Sequence, residues 1–462
     1  MPSNTASLAE EGVTASAPQN TNIRWFVCTL LFAATTINYM DRQIFSLIEP
    51  LLHGVPFMGW DKLADNLHQP VFDNNFGNVI ICFQVAYGAG FLFAGRMIDK
   101  LGTKVGYAMA IGMWAIASLS HSIVTTVAGF CIARIFLGIG ESGNFPAAIK
   151  ATSEWFPTEE RAKAVGIFNS GSNVSSIIAP ALVAFVTAKW AWSATQWGWR
   201  AAFITSGSMG LLWLIIWIVF PYNRLRRGST QTQANLEADF ADESNGHSVP
   251  YSVLLRRPGL YAFSIGKALT DGVWWFYLFY LPQFLNRNYG LKLLDAYWYL
   301  VAVYGLSSIG SVVGGWLSGY LINRGFTVDA GRKIAMLICA LLVIPVIFVP
   351  HFGDLFPHNA WPATMLIALA ASAHQGWSAN LLSTPGDLFP SSTVSTVVGV
   401  GGAAGALGGA AFTWIVKRNL SLHSLLVFSM AAGAYIVSLA LFQLLVPKLG
   451  ARSKGPALPQ AI

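Results

Sequence analysis

Charged residues are scarce in this 462-residue sequence, and their scarcity excludes an ordinary soluble protein. Asp, Glu, Lys and Arg together make up 11% of the chain, whereas a soluble domain normally has about a quarter. Hydrophobic residues make up 54%, and the chain has 30 Phe, 17 Trp, 14 Tyr and 44 Gly. Aromatic residues and glycine are both frequent in helices that pack together in lipid. The composition therefore predicts an all-α membrane protein.

Cysteine is also rare, and the four residues all lie in apolar runs, at Cys28, Cys82, Cys131 and Cys339. Their spacing fits neither a metal site nor the disulfide framework of a secreted protein. No set of His, Cys and Glu has the spacing of metal ligands, and no nucleophile motif appears. We therefore expect no bound metal, no cofactor and no enzymatic activity.

Twelve apolar runs are long enough to span a membrane, for which a helix needs roughly 20 residues. They cover residues 24–47, 75–97, 104–122, 124–148, 164–188, 199–221, 258–286, 295–323, 332–350, 361–384, 392–416 and 421–446. The first 23 residues lack the basic start and short apolar core of a cleaved signal peptide. We therefore expect a multi-pass protein of the lipid bilayer, whose first helix directs its own insertion.

The distribution of Lys and Arg predicts the orientation of these spans. Of the 28 basic residues, eighteen fall in segments on the side of the two termini and seven in the opposite loops; Arg42, Arg134 and Lys267 fall within spans. An excess of basic residues marks the cytoplasmic side. Both termini are therefore expected in the cytoplasm, and the net charge of +7 is a signal of topology. We expect no nucleic-acid partner.

The chain is predicted to have two halves joined by its one long internal hydrophilic stretch. The segments are a tail over 1–23, a six-helix half over 24–221, a cytoplasmic loop over 222–257, a six-helix half over 258–446 and a tail over 447–462. Each half has a Gly-rich helix end followed by a tight basic loop, GRMIDKLGTK at 95–104 and GGWLSGYLINRG at 314–325. Internal duplication of this kind is typical of transporters.

Three features together resemble the major facilitator superfamily: the first of these loops, the twelve predicted helices and the long central loop. That family carries the pattern G-x-x-x-D-(R/K)-x-G-(R/K)-(R/K), which this chain matches at Gly95, Asp99, Lys100, Gly102 and Lys104. The resemblance implies twelve transmembrane helices in two pseudo-symmetric six-helix halves (the major facilitator fold), in a monomer that works by alternating access. In the second loop, Gly319 stands where the family often has Asp.

Shorter stretches resemble the anion:cation symporter family and, within it, bacterial hexuronate transporters. They are NYMDR, RIFLGIGES, SEWFPTEERAKAVG, LGTKVGYAM, WWFYLFYLP and AHQ. The resemblance implies a proton-coupled symporter of the bacterial inner membrane that imports a small organic anion. It assigns substrate and coupling roles to the buried charges of helices 1 and 4, and Tyr39 matches the tyrosine of the family's first helix.

The charges within the first span are candidates on physical grounds as well, because ionisable groups in spans are costly and mark functional sites by default. Tyr39, Asp41 and Arg42 belong to a polar helical stripe with Asn38 and Phe45. Polar groups facing lipid would be unsatisfied, so we expect the stripe to face a central cavity. The alternative is that Asp41 and Arg42 lie near the interface and extend toward water.

Arg134 and Glu141 lie seven residues apart in the fourth span, and therefore share one helix face. Gly138 and Gly140 between them allow close approach of neighbours or substrate. The functional hypothesis is that Arg134 or Arg42 binds a substrate carboxylate through its two-pronged guanidinium, while Glu141 and Asp41 hold or pass protons. The alternative is a structural ion pair to another helix.

Further polar and aromatic residues in spans are candidates for binding substrate hydroxyls or stacking on a sugar. Each could equally hold helices together. They are Tyr87, Asn169, Asn173, Trp274, Trp275, His374, Gln375 and Asn380. Lys267 and Asp271 lie four residues apart and can neutralise each other. We expect His121, His351 and His358 in solvated loops.

The loop over residues 95–104 predicts a cytoplasmic lock that holds while the outer side is open. Gly95 permits a close helix contact, and Gly102 permits the tight turn into which Lys100 leads. Asp99 can accept hydrogen bonds from a helix N-terminus or pair with a cytoplasmic arginine, for which Arg161 is one candidate. The alternative is that the loop serves only topology and folding.

These residues together predict a proton-driven importer of a sugar acid such as galacturonate or glucuronate. One alternative keeps the mechanism and changes the cargo to a hexonate, glucarate or an aromatic acid. A second alternative is a membrane sensor of the same fold that transports nothing.

Overall fold

A computed structural model of the chain describes residues 21–52, 55–58, 65–190, 198–227, 250–291, 296–419 and 424–449. Nearly all of the predicted N-terminal and C-terminal tails, and residues 228–249 of the predicted central loop, lie outside the described residues. Within the described ranges the regular elements are helices, without a strand. The predicted all-α fold class is therefore confirmed.

Thirteen helices of twelve or more residues account for most of the described chain. They are α1 (Thr21–Leu47), α2 (Asp65–Leu101), α3 (Thr103–Ser120), α4 (Val127–Glu141), α5 (Asn144–Trp155), α6 (Thr158–Trp190), α7 (Gly198–Val219), α8 (Pro258–Tyr289), α9 (Tyr297–Asn323), α10 (Val328–Val343), α11 (Trp361–Leu388), α12 (Val394–Asn419) and α13 (Ser424–Leu445). Each predicted span has a helical counterpart, with α4 and α5 sharing the fourth.

Eight of these helical segments are individually long and apolar enough to cross a membrane. The remaining four spans carry more polar groups or are interrupted. α8 contains Lys267 and Asp271, and α11 contains His374 and Gln375. These polar groups lower the hydropathy of the helices that carry them; His374 and Gln375 are buried, and Lys267 and Asp271 are partly buried.

The fourth span differs from the single helix predicted over 124–148, because it is broken between α4 and α5. Ser142 donates its hydroxyl hydrogen bond back to the carbonyl of Ile139, at 2.6 Å. Pro146 stands in the first turn of α5, where a missing N–H leaves no helical hydrogen bond unmade. The break comes directly after Glu141.

The internal duplication is visible in matching contacts at the two halves. Lys104 begins α3 and donates to the carbonyl of Phe220, just after α7, at 2.6 Å. Lys333 lies in the second turn of α10 and donates to the carbonyl of Val446, just after α13, at 2.7 Å. Each lysine places its charge at the C-terminal end of the last helix in its half, where a cation is stabilising.

The halves meet along two helix pairs, α2 with α12 and α6 with α9. Glycine makes both approaches possible: a Cβ on Gly95 would overlap the carbonyl oxygen of Ser395, and a Cβ on Gly315 would overlap that of Ala162. The two contacts occupy matching places in the duplication. They lie at the end of the bundle where α2 finishes, called here the Asp99 end.

The histidine predictions are right for two residues and wrong for the third. His351 and His358 are exposed. His121 is fully buried, because its ring stacks on Phe203 with 4.6 Å between ring centroids and its Nδ1 lies 2.7 Å from the carbonyl oxygen of Ala117. His121, directly after the end of α3, is thus packed into the core of its half.

Candidate functional site

Arg42 and Glu141 form an ion pair between α1 and α4. Nε and Nη2 of Arg42 both donate to Oε2 of Glu141, at 3.2 and 3.1 Å. The Glu141 side chain is fully buried, whereas that of Arg42 keeps 14% of its surface exposed. The other carboxylate oxygen of Glu141, Oε1, is buried without a hydrogen-bond partner. The pair therefore has one oxygen available to a proton or a donor.

Three aromatic rings surround the guanidinium of Arg42. Its Cζ lies 4.2 Å from the ring centroid of Tyr87, 4.7 Å from that of Tyr39 and 5.3 Å from that of Phe83. Cation–π contacts of this kind hold a cation without neutralising its charge. Tyr39 and Tyr87 were predicted from the sequence. Phe83 was not, because a phenylalanine in an apolar span carries no signal of its own.

The glycines of α4 allow this packing. A Cβ on Gly138 would lie 2.8 Å from the carbonyl oxygen of Phe83, and one on Gly140 would lie 2.7 Å from the backbone nitrogen of Trp114. Both distances are too short for a side chain. The helix that carries Glu141 is therefore held against α2 and α3 by backbone contact.

Arg134 lies on the same helix as Glu141 but, in the described part of the chain, pairs with no carboxylate directly. Its side chain is buried, and its Nε and Nη2 have no hydrogen-bond partner. Its Cζ lies 4.3 Å from the ring centroid of Phe45. Nε and Nη2 form the side-on edge of the Arg134 guanidinium. Because Glu141 pairs with Arg42, no acid among the described residues accepts a hydrogen bond from this edge.

Asp41 is buried, and it lies on a different face of α1 from its neighbour Arg42. Its Oδ1 accepts a hydrogen bond from the Ser118 hydroxyl at 2.8 Å, and that hydroxyl lies 3.0 Å from the hydroxyl of Ser206. Its Oδ2 has no partner. Arg134 is the cation that acts on Asp41 electrostatically. Asp41 and Arg42, although they are neighbours in the first span, thus lie in two different environments.

In the C-terminal half, an aromatic stack joins α8 to α11. The rings of Trp274 and His374 are nearly parallel, with an interplanar angle of 7° and 5.3 Å between centroids. Nδ1 of His374 lies 2.7 Å from the hydroxyl of Tyr435. Trp275 faces α12, where a Cβ on Gly409 would lie 3.3 Å from its ring. Tyr435 is a further residue that the sequence analysis missed.

The predicted amides divide into two groups. Asn169 donates to Oε1 of Gln375 at 2.7 Å, and Gln375 donates to Asn173 at 3.4 Å, so these three bridge the two halves. Asn380 donates to the backbone carbonyls of Gly314 and Gly376, at 2.8 and 2.9 Å, and is fully buried. It holds α11 against α9 and lies apart from the other candidates.

At the Asp99 end, Asp99 caps the N-terminus of α12. Its Oδ2 accepts from the backbone N–H and the hydroxyl of Thr396, both at 2.6 Å, and its Oδ1 accepts from the N–H of Ser395 at 3.2 Å. The helix N-terminus was one of the two predicted partners. The cation that pairs with Asp99 is Lys150, at 2.9 Å. The neighbouring Lys100 is exposed.

Arg161 is not the partner of Asp99, which corrects that expectation. Arg161 reaches across to Asp387 of the C-terminal half at 2.5 Å, and Arg332 contacts the other oxygen of Asp387 at 3.1 Å. All three side chains are buried. Sequence reasoning missed Asp387 and Arg332, because they lie near the ends of spans, where charged residues are ordinary.

The glycine that replaces the family's acid in the second loop has a steric reason. A Cβ on Gly319 would overlap the carbonyl oxygen of Glu159 at the start of α6. Gly102 in the first loop has a φ of 78°, in the left-handed region that favours glycine. This backbone conformation agrees with a tight turn at Gly102.

The chain matches known membrane transporters over most of its length. A model of the Major Facilitator Superfamily matches residues 31–413. The hexuronate transporter of Escherichia coli (strain K12) is 28% identical over 402 residues, which cover 85% of this chain and 87% of the relative. The galacturonate transporter of Dickeya chrysanthemi is 27% identical over 329 residues, which cover 70% of this chain and 89% of the relative.

The fold also matches solved structures. The structure of the proton:xylose symporter XylE bound to 6-bromo-6-deoxy-D-glucose has a TM-score of 0.72 at 16% identity, and the match covers 93% of this chain and 97% of that one. At this identity the likeness concerns the fold alone. It agrees with the twelve-span architecture described above.

Proposed function

The chain belongs to the Major Facilitator Superfamily, and from that premise we propose that it imports a hexuronate, such as galacturonate or glucuronate, together with protons. The chain is a multi-pass membrane transporter and not an enzyme. The proposal places it in the bacterial inner membrane, with both termini and the Asp99 end on the cytoplasmic side.

The observation that carries the proposal is the buried edge of Arg134. Nε and Nη2 of an arginine lie side by side and match the two oxygens of a carboxylate. Both atoms of Arg134 are buried without a hydrogen-bond partner, and such atoms are costly unless something completes them. A substrate carboxylate is the group whose geometry fits. The names of the relatives support a sugar acid as the molecule that bears it.

The pairing of Arg42 with Glu141 supports proton coupling. As long as Glu141 is ionised, its Oε2 occupies the same edge of Arg42 that a carboxylate would use. A proton on Glu141 weakens this ion pair and frees Arg42 for the substrate. Substrate bound at Arg42 in turn removes the cation that stabilises ionised Glu141, so the proton and the anion favour each other's binding. This coupling is reciprocal by necessity.

A second carboxylate, Asp41, is the rival for the coupling role. It is buried near Arg134, and only one of its oxygens accepts a hydrogen bond. Its serine partners would stabilise either protonation state, because a hydroxyl can donate or accept. The two acids therefore need to be tested side by side.

The test is uptake into proteoliposomes that contain the purified protein, with an inward proton gradient imposed. Labelled galacturonate should accumulate above its external concentration, and dissipating the proton gradient should abolish the accumulation. Competition should require a free carboxylate. A panel of hexonates, glucarate and aromatic acids separates the alternative cargoes, and a sodium gradient in place of protons separates the coupling ion. Equal uptake of neutral hexoses would refute the proposal.

A further inference from the structure

One partly buried ion pair has no part in the mechanism above. Lys267 and Asp271 lie one turn apart on α8, with 2.7 Å between Nζ and Oδ2. In the described part of the chain, each is the other's only ion-pair partner. Their side chains keep 14% and 19% of their surfaces exposed, although both lie inside a predicted span. The sequence alone offered only mutual neutralisation as their role.

Mutual neutralisation does not explain why the charges are present. Two charges taken out of water cost more than two well-packed apolar residues in the same place, and within a span they mark functional sites. The site is also shaped around them, because a Cβ on Gly405 of α12 would overlap Oδ2 of Asp271. Bare backbone at Gly405 therefore makes room for the carboxylate.

The pair lies at the level of the Arg42 site, on the other side of a helix crossing. α2 and α12 meet where a Cβ on Gly88 would lie 3.8 Å from the Cβ of Ala406. Gly88 follows Tyr87, the ring nearest to Arg42. Ala406 follows Gly405, against which Asp271 lies. Asp271 therefore lies across the α2–α12 crossing from Tyr87, at the boundary between the halves.

We propose that Lys267 and Asp271 form a second subsite, which binds the hydroxyl-bearing end of a sugar acid whose carboxylate lies at the arginines of the N-terminal half. Neighbouring hydroxyls suit an intact ion pair, because one can donate to Asp271 while another accepts from Lys267. One turn further along α8, Trp274 offers an aromatic face that His374 and Tyr435 hold in place. That face suits the C–H side of a sugar.

The subsite sets specificity as well as affinity, and in this it rests on the proposed function. A site built to hydrogen-bond hydroxyls discriminates strongly against an analogue that lacks them. A second carboxylate at the far end of the substrate would meet the charge of Asp271, whose partner Lys267 is already engaged. The subsite therefore favours monocarboxylate sugar acids over both dicarboxylate sugar acids and acids without hydroxyls.

The test is competition against labelled galacturonate in proteoliposomes, with galactarate and hexanoate as competitors. Galactarate carries a second carboxylate, and hexanoate carries no hydroxyls. For the unaltered protein, both should compete at least tenfold less well than unlabelled galacturonate. Asp271→Asn leaves Lys267 without its counter-charge, so the ratio of galactarate to galacturonate affinity should rise at least tenfold. The matched control is the double variant that combines Lys267→Gln with Asp271→Asn. It lacks both charges, so the ratio of galactarate to galacturonate affinity should not rise.

The outcomes separate this inference from the function on which it rests. If the unaltered protein takes up no sugar acid, the proposed function fails, and the subsite fails with it. If it takes up galacturonate but galactarate competes equally well, or if Asp271→Asn leaves the ratio unchanged, the subsite is wrong while the proposed function stands. Should Asp271→Asn not reach the membrane, the competition on the unaltered protein decides alone.

Discussion

Two arginines of the N-terminal half present the same chemical edge to different surroundings. Nε and Nη2 of Arg42 are held by Glu141, whereas Nε and Nη2 of Arg134 have no partner. Because both guanidiniums lie against aromatic rings, both keep a charge available for an anion. At Arg42 the substrate carboxylate would therefore compete with ionised Glu141, and a proton on Glu141 would relieve that competition.

Arg134→Lys tests the geometric part of this argument. Lysine keeps the charge but loses the two-pronged edge that fits a carboxylate. We expect a folded, membrane-inserted protein whose uptake of galacturonate falls at least tenfold, about 1.4 kcal/mol in transition-state or binding free energy. The measurement is initial uptake rate in proteoliposomes with matched protein content. Near-normal uptake would assign Arg134 a structural role.

Glu141→Gln tests the coupling. The amide cannot ionise and resembles the protonated acid, so Arg42 should be released from its ion pair at every pH. We expect this variant to bind and exchange substrate across the membrane but not to accumulate it under an inward proton gradient. Counterflow and gradient-driven uptake measure the two properties separately.

Asp41→Asn, measured in parallel, identifies the coupling acid. If Glu141 couples, Asp41→Asn should still accumulate substrate. The opposite pattern, accumulation by Glu141→Gln and loss in Asp41→Asn, would move the coupling role to Asp41.

At the scale of elements, the end of α2 is attached to the start of α12 through one carboxylate. Asp99 accepts two backbone N–H groups and one hydroxyl of α12 while pairing with Lys150. Hydrogen bonds from backbone N–H groups to a carboxylate are strengthened by its charge and by the helix dipole. This contact stabilises the closed arrangement of the Asp99 end.

Asp99→Asn should weaken that closure. The amide loses the charge that Lys150 and the helix N-terminus stabilise, so conformations open at this end should gain at least tenfold in population, about 1.4 kcal/mol. We expect slow transport with substrate binding retained. The readout is maleimide labelling of a cysteine placed at Ser395, which is fully buried, in a background without the native cysteines. Asp354→Asn, which removes an exposed charge, is the control, and equal labelling of the two variants would count against the lock.

The sequence could predict the elements and the charges inside spans, but not how the charges pair. Arg42, Arg134 and Glu141 stand out because an apolar run makes any charge conspicuous. The crossing of α1 and α4 decides which of the two arginines contacts Glu141, and no local sequence pattern predicts that crossing. Asp387 was missed for a related reason, since its partner Arg161 lies 226 residues away in the chain.

For the whole molecule, the two halves approach each other through backbone rather than through large side chains. Gly95 faces α12 and Gly315 faces α6 in matching positions of the duplication. Such contacts are short, and from the proposed function we expect each half to move as a unit about them. Closure of the Asp99 end then depends on glycine at these two positions as much as on the charges of Asp99 and Asp387.

Gly315→Ala tests this dependence with the smallest possible change. The added Cβ would overlap the carbonyl oxygen of Ala162, and a backbone atom cannot move aside as a flexible side chain can. The Asp99 ends of α6 and α9 should therefore be forced apart, which raises labelling of a cysteine at Ser395 and lowers accumulation of substrate. Gly305→Ala is the matched control on the same helix, because a Cβ there meets no atom within 4 Å. If both variants label and transport alike, closure of this end does not depend on the backbone contact at Gly315, and the charged pairs alone must hold it.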